Sequence, residues 1–136
     1  MSESSFPATL DRLDEMIAFI LDFAERQGLN PGAAYKVRLA AEEVLVNIVK
    51  HAYPDGPGTI GIACAPAEGA AGIAIEIKDT GLPFNPLEKS DPDTALPMEE
   101  RPIGGLGIFL VKKVMDDIGY VRDGDTNILR LVKHAS

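Results

Sequence analysis

Cys64 is the only cysteine in the 136-residue sequence, which excludes an intrachain disulfide and any zinc site built from several thiolates. The two histidines, His51 and His134, stand too far apart in sequence to suggest a zinc cluster of their own. Tryptophan is absent, and no basic run exceeds Lys112-Lys113. With 13 Lys and Arg against 21 Asp and Glu the formal charge is -8, so an extended phosphate-tracking surface is not expected and nucleic acid is not an expected partner. No apolar stretch approaches the roughly 20 residues that cross a bilayer, and Met1 to Pro7 lacks the basic region and apolar core of a signal peptide. No membrane partner is therefore expected, and the cytoplasm is the expected location. What is present is the balance of a folding chain, 46% hydrophobic and 25% charged, with a length that suits one domain over residues 1–136.

Periodicity divides the chain. From Thr9 to Gln27, Leu10, Leu13, Ile17, Ile20, Leu21 and Ala24 recur three and four apart, which predicts a helix stopped by Gly28. Asn30-Pro31 is an N-cap and first-turn pair, and Val37, Ala41, Val44, Leu45 and Ile48 form the stripe of a second helix, about Pro31 to His51. After the turn Asp55-Gly56-Pro57-Gly58, alternation at Ile60, Ile62 and Cys64, then at Ile73, Ile75 and Ile77, predicts a hairpin. Leu82 to Arg101 carries four prolines, five acidic residues and no period, and reads as a long functional loop. A third helix is expected after Gly107. Tyr120-Val121-Arg122 and Ile128 to Lys133 complete a second hairpin around Asp123-Gly124-Asp125. Helices packed on one face of a mainly antiparallel sheet, an α+β fold, would bury both kinds of apolar face.

Three local patterns carry chemistry. On the second helix Glu43, Asn47 and His51 are spaced by four and stand within about 80° of one another, with Lys50 on the same side. A carboxylate and a carboxamide one turn apart can serve as a proton acceptor and a hard oxygen ligand for Mg²⁺, although a solvated helix face has the same spacing. Asp79-Thr80-Gly81 closes a strand, where a carboxylate can accept from an exocyclic amino group and a glycine lets a planar ring approach; an ordinary strand-ending turn uses the same residues. Gly104-Gly105-Leu106-Gly107 opens a helix, where free N–H groups and the dipole can bind phosphate, although a flexible glycine linker has the same look. Each is weak alone. Their order along one chain is the stronger signal.

The segment Glu43-Val44-Leu45-Val46-Asn47-Ile48-Val49-Lys50-His51-Ala52-Tyr53 resembles the N box of the GHKL ATPases, Asp79-Thr80-Gly81-Leu82-Pro83-Phe84-Asn85-Pro86 their first glycine box, and Gly104-Gly105-Leu106-Gly107-Ile108-Phe109-Leu110-Val111 their second. Within that superfamily the chain is most similar to the anti-sigma factor serine kinases. The resemblance implies the Bergerat fold, a mixed four-stranded sheet covered on one face by three helices, with ATP under a lid at about residues 82–105. It implies Glu43 as the general base, Asn47 as the Mg²⁺ ligand, Asp79 as the partner of the adenine amino group, and Gly81 beside the base. Gly104, Gly105 and Gly107 are implied at the lid and phosphates. A basic residue from the first helix, Arg12 or Arg26, is implied near the phosphates, and Thr126 is the candidate for a last-strand threonine near adenine.

ATP and Mg²⁺ are thus the implied cofactors. The implied activity is phosphorylation of an anti-anti-sigma antagonist on serine, together with sequestration of a sigma factor by a homodimer. Two other readings stay open from the residues: a nucleotide-gated binding module without phosphotransfer, and the catalytic domain of a histidine kinase. The latter lacks an evident phosphoacceptor, because His51 lies inside the N box and His134 at the tail.

Overall fold

The computed structural model describes residues 1–69, 71–83 and 105–135, and of residues 105–109 the backbone alone. Strand β1 (Ser2–Pro7) leads through a tight turn at Leu10–Arg12 into helix α1 (Leu13–Arg26) and helix α2 (Pro31–His51). Strands β2 (Thr59–Pro66) and β3 (Gly72–Asp79) follow, then helix α3 (Gly105–Val114) and strands β4 (Asp117–Asp123) and β5 (Thr126–His134).

The strands form one sheet in the order β1-β2-β3-β5-β4, with every neighbouring pair antiparallel. The expectation of a mixed, four-stranded sheet is corrected on both counts. The fifth strand is β1, whose Ser-Glu-Ser-Ser sequence has no apolar alternation to announce it. It forms because β2 offers an open edge, with Ser4 opposite Ile62 and Phe6 opposite Ile60. Phe6 then anchors it by meeting Phe19 of α1 edge to face, with ring centroids 5.9 Å apart.

The core lies between the helices and one face of the sheet. Rows of paired residues supply its floor: Cys64, Ile75 and Leu131 in one, Ile62, Ile77 and Leu129 in the next, all buried. The opposite face carries residues such as Glu76, Lys78 and Arg130, where polar groups stay hydrated. Met16, Ile17, Ile20, Phe23 and Ala24 of α1 close over the floor, beside Val37, Ala41, Val44, Leu45 and Ile48 of α2. The expected first helix is shortened at its start. Leu10 is 55% exposed in the preceding turn, and Met16 takes the buried place that the sequence stripe gave to earlier residues.

Both helix junctions follow local chemistry. The α1 terminus ends in Gly28 at φ +81°, a left-handed conformation that glycine adopts without steric penalty, and Leu29 N donates to Ala24 O to close the turn. The side chain of Asn30 accepts from Ala33 N at 2.8 Å, and Pro31 occupies the first helical position, where no N–H is needed. The β2–β3 and β4–β5 pairings realise the two expected hairpins.

Candidate functional site

One end of the sheet's core face is polar. The row that begins with Phe6 and Ile60 continues through Asp79 and Asn127 to Arg122, so strand pairing brings a carboxylate, a carboxamide and a guanidinium side by side. Asp79 is 5% exposed and Asn127 4%, and burying such groups is costly unless each finds a partner. They find each other: Asn127 Nδ2 donates to Asp79 Oδ1 at 2.9 Å, and Gly81 N donates to the same oxygen at 3.0 Å. Among the described residues no donor reaches Asp79 Oδ2, which leaves that oxygen to accept from a ligand's N–H.

The turn after Asp79 is held from several sides. Asn127 Nδ2 also donates to Leu82 O at 2.8 Å, and Arg122 Nη1 donates to Gly81 O at 3.0 Å. From the end of α2, Ala52 O accepts from Leu82 N at 2.8 Å. Tyr53 Oη accepts from Thr80 N at 2.9 Å and donates to Thr59 O at 2.6 Å, bridging β2 and β3. A side chain on Gly81 would begin where the Ala52 carbonyl already lies. The glycine is therefore demanded by the helix end itself.

That junction fixes α2 relative to Asp79. Asn47 lies five residues and Glu43 nine residues before Ala52, about 7.5 and 13.5 Å back along the helix axis. Asn47 is buried, and its Nδ2 donates to Glu43 O at 2.9 Å. With the amide nitrogen committed to its own helix, Oδ1 is the atom left for a cation, a hard oxygen of the kind Mg²⁺ accepts. No group of three or more His, Cys, Asp or Glu side chains able to hold a metal occurs among the described residues, so phosphate and water oxygens would complete the shell. Glu43 is half-buried, and no cation pairs with its carboxylate among the described residues. The donor set therefore fits Mg²⁺ with a nucleoside triphosphate.

The remaining expected residues fall in different places. Helix α3 starts at Gly105, putting Gly105 and Gly107 in its first turn, where backbone N–H groups lack helical acceptors. Gly104 and the lid segment from residue 84 onward lie outside the described residues. Arg12, in the turn before α1, pairs with Glu15 at 3.0 Å, and Arg26 pairs with Asp22 at 2.6 Å, both as local surface pairs at the ends of α1. His51 is exposed at the end of α2. Thr126 turns to Asp125, its Oγ1 donating at 3.0 Å, and it is Asn127 that stands beside Asp79. Asn127, Tyr120, Arg122 and the bridging role of Tyr53 were missed in the sequence. The available signal for Asn127 was a polar residue in phase with the inward Leu129 and Leu131.

Comparison with known proteins bears on the whole chain. The family described as "Histidine kinase-like ATPase domain" matches residues 6–133. The chain belongs to this family. Proteins similar to it include the "Serine-protein kinase RsbW" of Bacillus thuringiensis (strain Al Hakam) and that of Bacillus cereus (strain 03BB102). Each is 30% identical over 129 residues, 93% of this chain and 81% of the relative. Among solved structures, the blue-light activated histidine kinase of Erythrobacter litoralis EL346 superimposes with a TM-score of 0.57 at 17% identity, over 79% of this chain and 32% of that one. The histidine kinase domain of the same protein gives 0.58 at 17% identity, over 92% of this chain and 60% of that one. These likenesses show that the α+β arrangement is the GHKL ATPase fold.

Proposed function

We propose that the chain is an ATP-dependent protein serine kinase that acts as an anti-sigma factor, phosphorylating a small anti-anti-sigma antagonist and sequestering a sigma factor. The observation that carries the reading is Glu43 one helical turn before Asn47, on a helix pinned at its end to the Asp79–Leu82 turn. Support from outside the geometry is the 30% identity to proteins named serine-protein kinases. In this reading the chain works as a homodimer in the cytoplasm. None of its helices among the described residues is long and apolar enough to cross a membrane.

In the proposed reaction Asp79 Oδ2 accepts from the 6-amino group of adenine, with Gly81 alongside. Gly104, Gly105 and Gly107 contribute at the lid and phosphates, where the start of α3 supplies N–H donors. Bound through Asn47 Oδ1, Mg²⁺ would supply charge neutralisation at the phosphates. Glu43 takes the proton from the substrate serine as its Oγ bonds to the γ-phosphorus. The bond from that phosphorus to the β,γ-bridging oxygen breaks, and ADP departs with the electron pair. Such transfers demand mainly positioning and charge stabilisation, which two side chains on one rigid helix provide.

The test is incubation of the full chain with Mg²⁺-ATP and a candidate antagonist domain, read for phosphoserine. Transfer that disappears in Glu43→Gln while nucleotide binding persists supports the reading. Nucleotide-dependent partner binding with no transfer by the native chain would identify a gated binding module instead, and acid-labile phosphate would indicate histidine kinase chemistry.

A further inference from the structure

Asn127 is wired on all three of its polar positions. Both Nδ2 hydrogens are used, one on Asp79 Oδ1 at 2.9 Å and one on Leu82 O at 2.8 Å, while Oδ1 accepts from the hydroxyl of Tyr120 on the neighbouring strand. The partners admit only one orientation of the amide. Rotated by half a turn, its oxygen would face a carboxylate and a carbonyl, and its nitrogen would face a hydroxyl that now had to accept. Asp79 and Asn127 are both buried, so no bulk water would compensate the mismatch.

Asp79 inherits a fixed orientation from this arrangement. Its Oδ1 receives two donors, Gly81 N and Asn127 Nδ2, which hold the carboxylate in one orientation. Its Oδ2 is then an oriented acceptor beside the Gly81 turn. A purine with an amino group at position 6 can donate to that oxygen. A purine with a carbonyl at position 6 would place oxygen against oxygen.

We infer that the Tyr120–Asn127 pair sets nucleobase selectivity by holding Asp79 as an acceptor, making Asn127 and Tyr120 positioning residues for the base. The inference rests on the nucleotide-site reading of Asp79 and deepens it, naming 6-aminopurine over 6-oxopurine nucleotides as the discriminated classes. It also explains why an inward strand position carries Asn rather than the apolar residues found at Leu129 and Leu131.

The experiment is equilibrium binding of Mg²⁺-ATP and Mg²⁺-ITP to the full chain and three variants, reported as the ratio of the two affinities. A ratio measured on one preparation does not depend on the fraction that folds, and loss of general packing lowers both affinities alike. Asn127→Asp keeps the shape but turns both donors into acceptors, and is expected to narrow the preference for ATP by about tenfold or more. Tyr120→Phe, which keeps the ring in place, is expected to narrow it by about threefold through loss of the amide's anchor. Asn127→Thr retains one donor for Asp79 Oδ1 and is expected to stay within about threefold of the native ratio.

An unchanged ratio in both Asn127→Asp and Tyr120→Phe, with native preference for ATP intact, overturns the positioning role and leaves the nucleotide site standing. Failure of the native chain to bind either nucleotide overturns the site reading and the inference with it. A native chain that binds ATP and ITP equally overturns the inference alone.

Discussion

The carbonyl oxygen of Ala52, at the end of α2, occupies the space in which a side chain on Gly81 would begin, and the same oxygen accepts from Leu82 N at 2.8 Å. A helix end and a strand end are thereby locked at backbone contact. Gly81→Ala is expected to cost about 1–3 kcal/mol, because the new methyl group must push α2 and the turn apart. A lower urea midpoint at an unchanged denaturant slope, with weakened nucleotide binding, checks it.

Tyr53 carries the second tie between these elements. Removing its hydroxyl in Tyr53→Phe deprives Thr80 N and Thr59 O of partners at 2.9 and 2.6 Å. The expected cost is about 1–3 kcal/mol, with the ring still packed over Gly58. Thermal unfolding of native and variant chains measures it.

Glu43 and Asn47 are expected to separate by kinetics. Glu43→Gln should lower the rate of transfer by about 10²–10⁴-fold with nucleotide affinity nearly unchanged, the signature of a lost proton acceptor. Asn47→Ala should weaken Mg²⁺-dependent binding, because the only side-chain oxygen it offers a cation is gone. Titration of nucleotide with and without Mg²⁺ distinguishes the two effects.

Cys64 is fully buried, and burial pushes its thiol up to about 11 from its ordinary value of 9.0. Between those values the unfolded chain holds the thiolate while the folded chain keeps the proton, so the unfolded state binds fewer protons and stability falls as pH rises. At pH 8 the thiol is expected to resist iodoacetamide until denaturant is added, when labelling becomes fast. Rapid labelling of the native chain would contradict the burial.

Much of this protein was determined by local sequence. Asn30-Pro31 set the start of α2 because an N-cap acceptor and a ring without an N–H both act within one turn. The alternation of Ile60, Ile62 and Cys64 against Ile73, Ile75 and Ile77 set a hairpin register, since a one-residue slip would turn every isoleucine to solvent. Periodicity likewise put Glu43 and Asn47 on one helix face, and the order of the three boxes identified the fold before any contact was known.

Other features were decided only in three dimensions. Strand β1 exists because β2 presents an edge and Phe19 a ring, and neither can be read from Ser-Glu-Ser-Ser. Arg12 and Arg26 were candidates for the phosphates, yet each closes on an acid of its own helix turn. Thr126 was the candidate beside the base, and the pleat of β5 turned Asn127 inward instead. The need for glycine at position 81 comes from a helix that ends 29 residues earlier in the chain, at Ala52. Propensity and period act over a few residues. Sheet register and helix docking join residues from distant segments, so the environment of Asp79 arises only when β3, β4, β5 and the end of α2 have met.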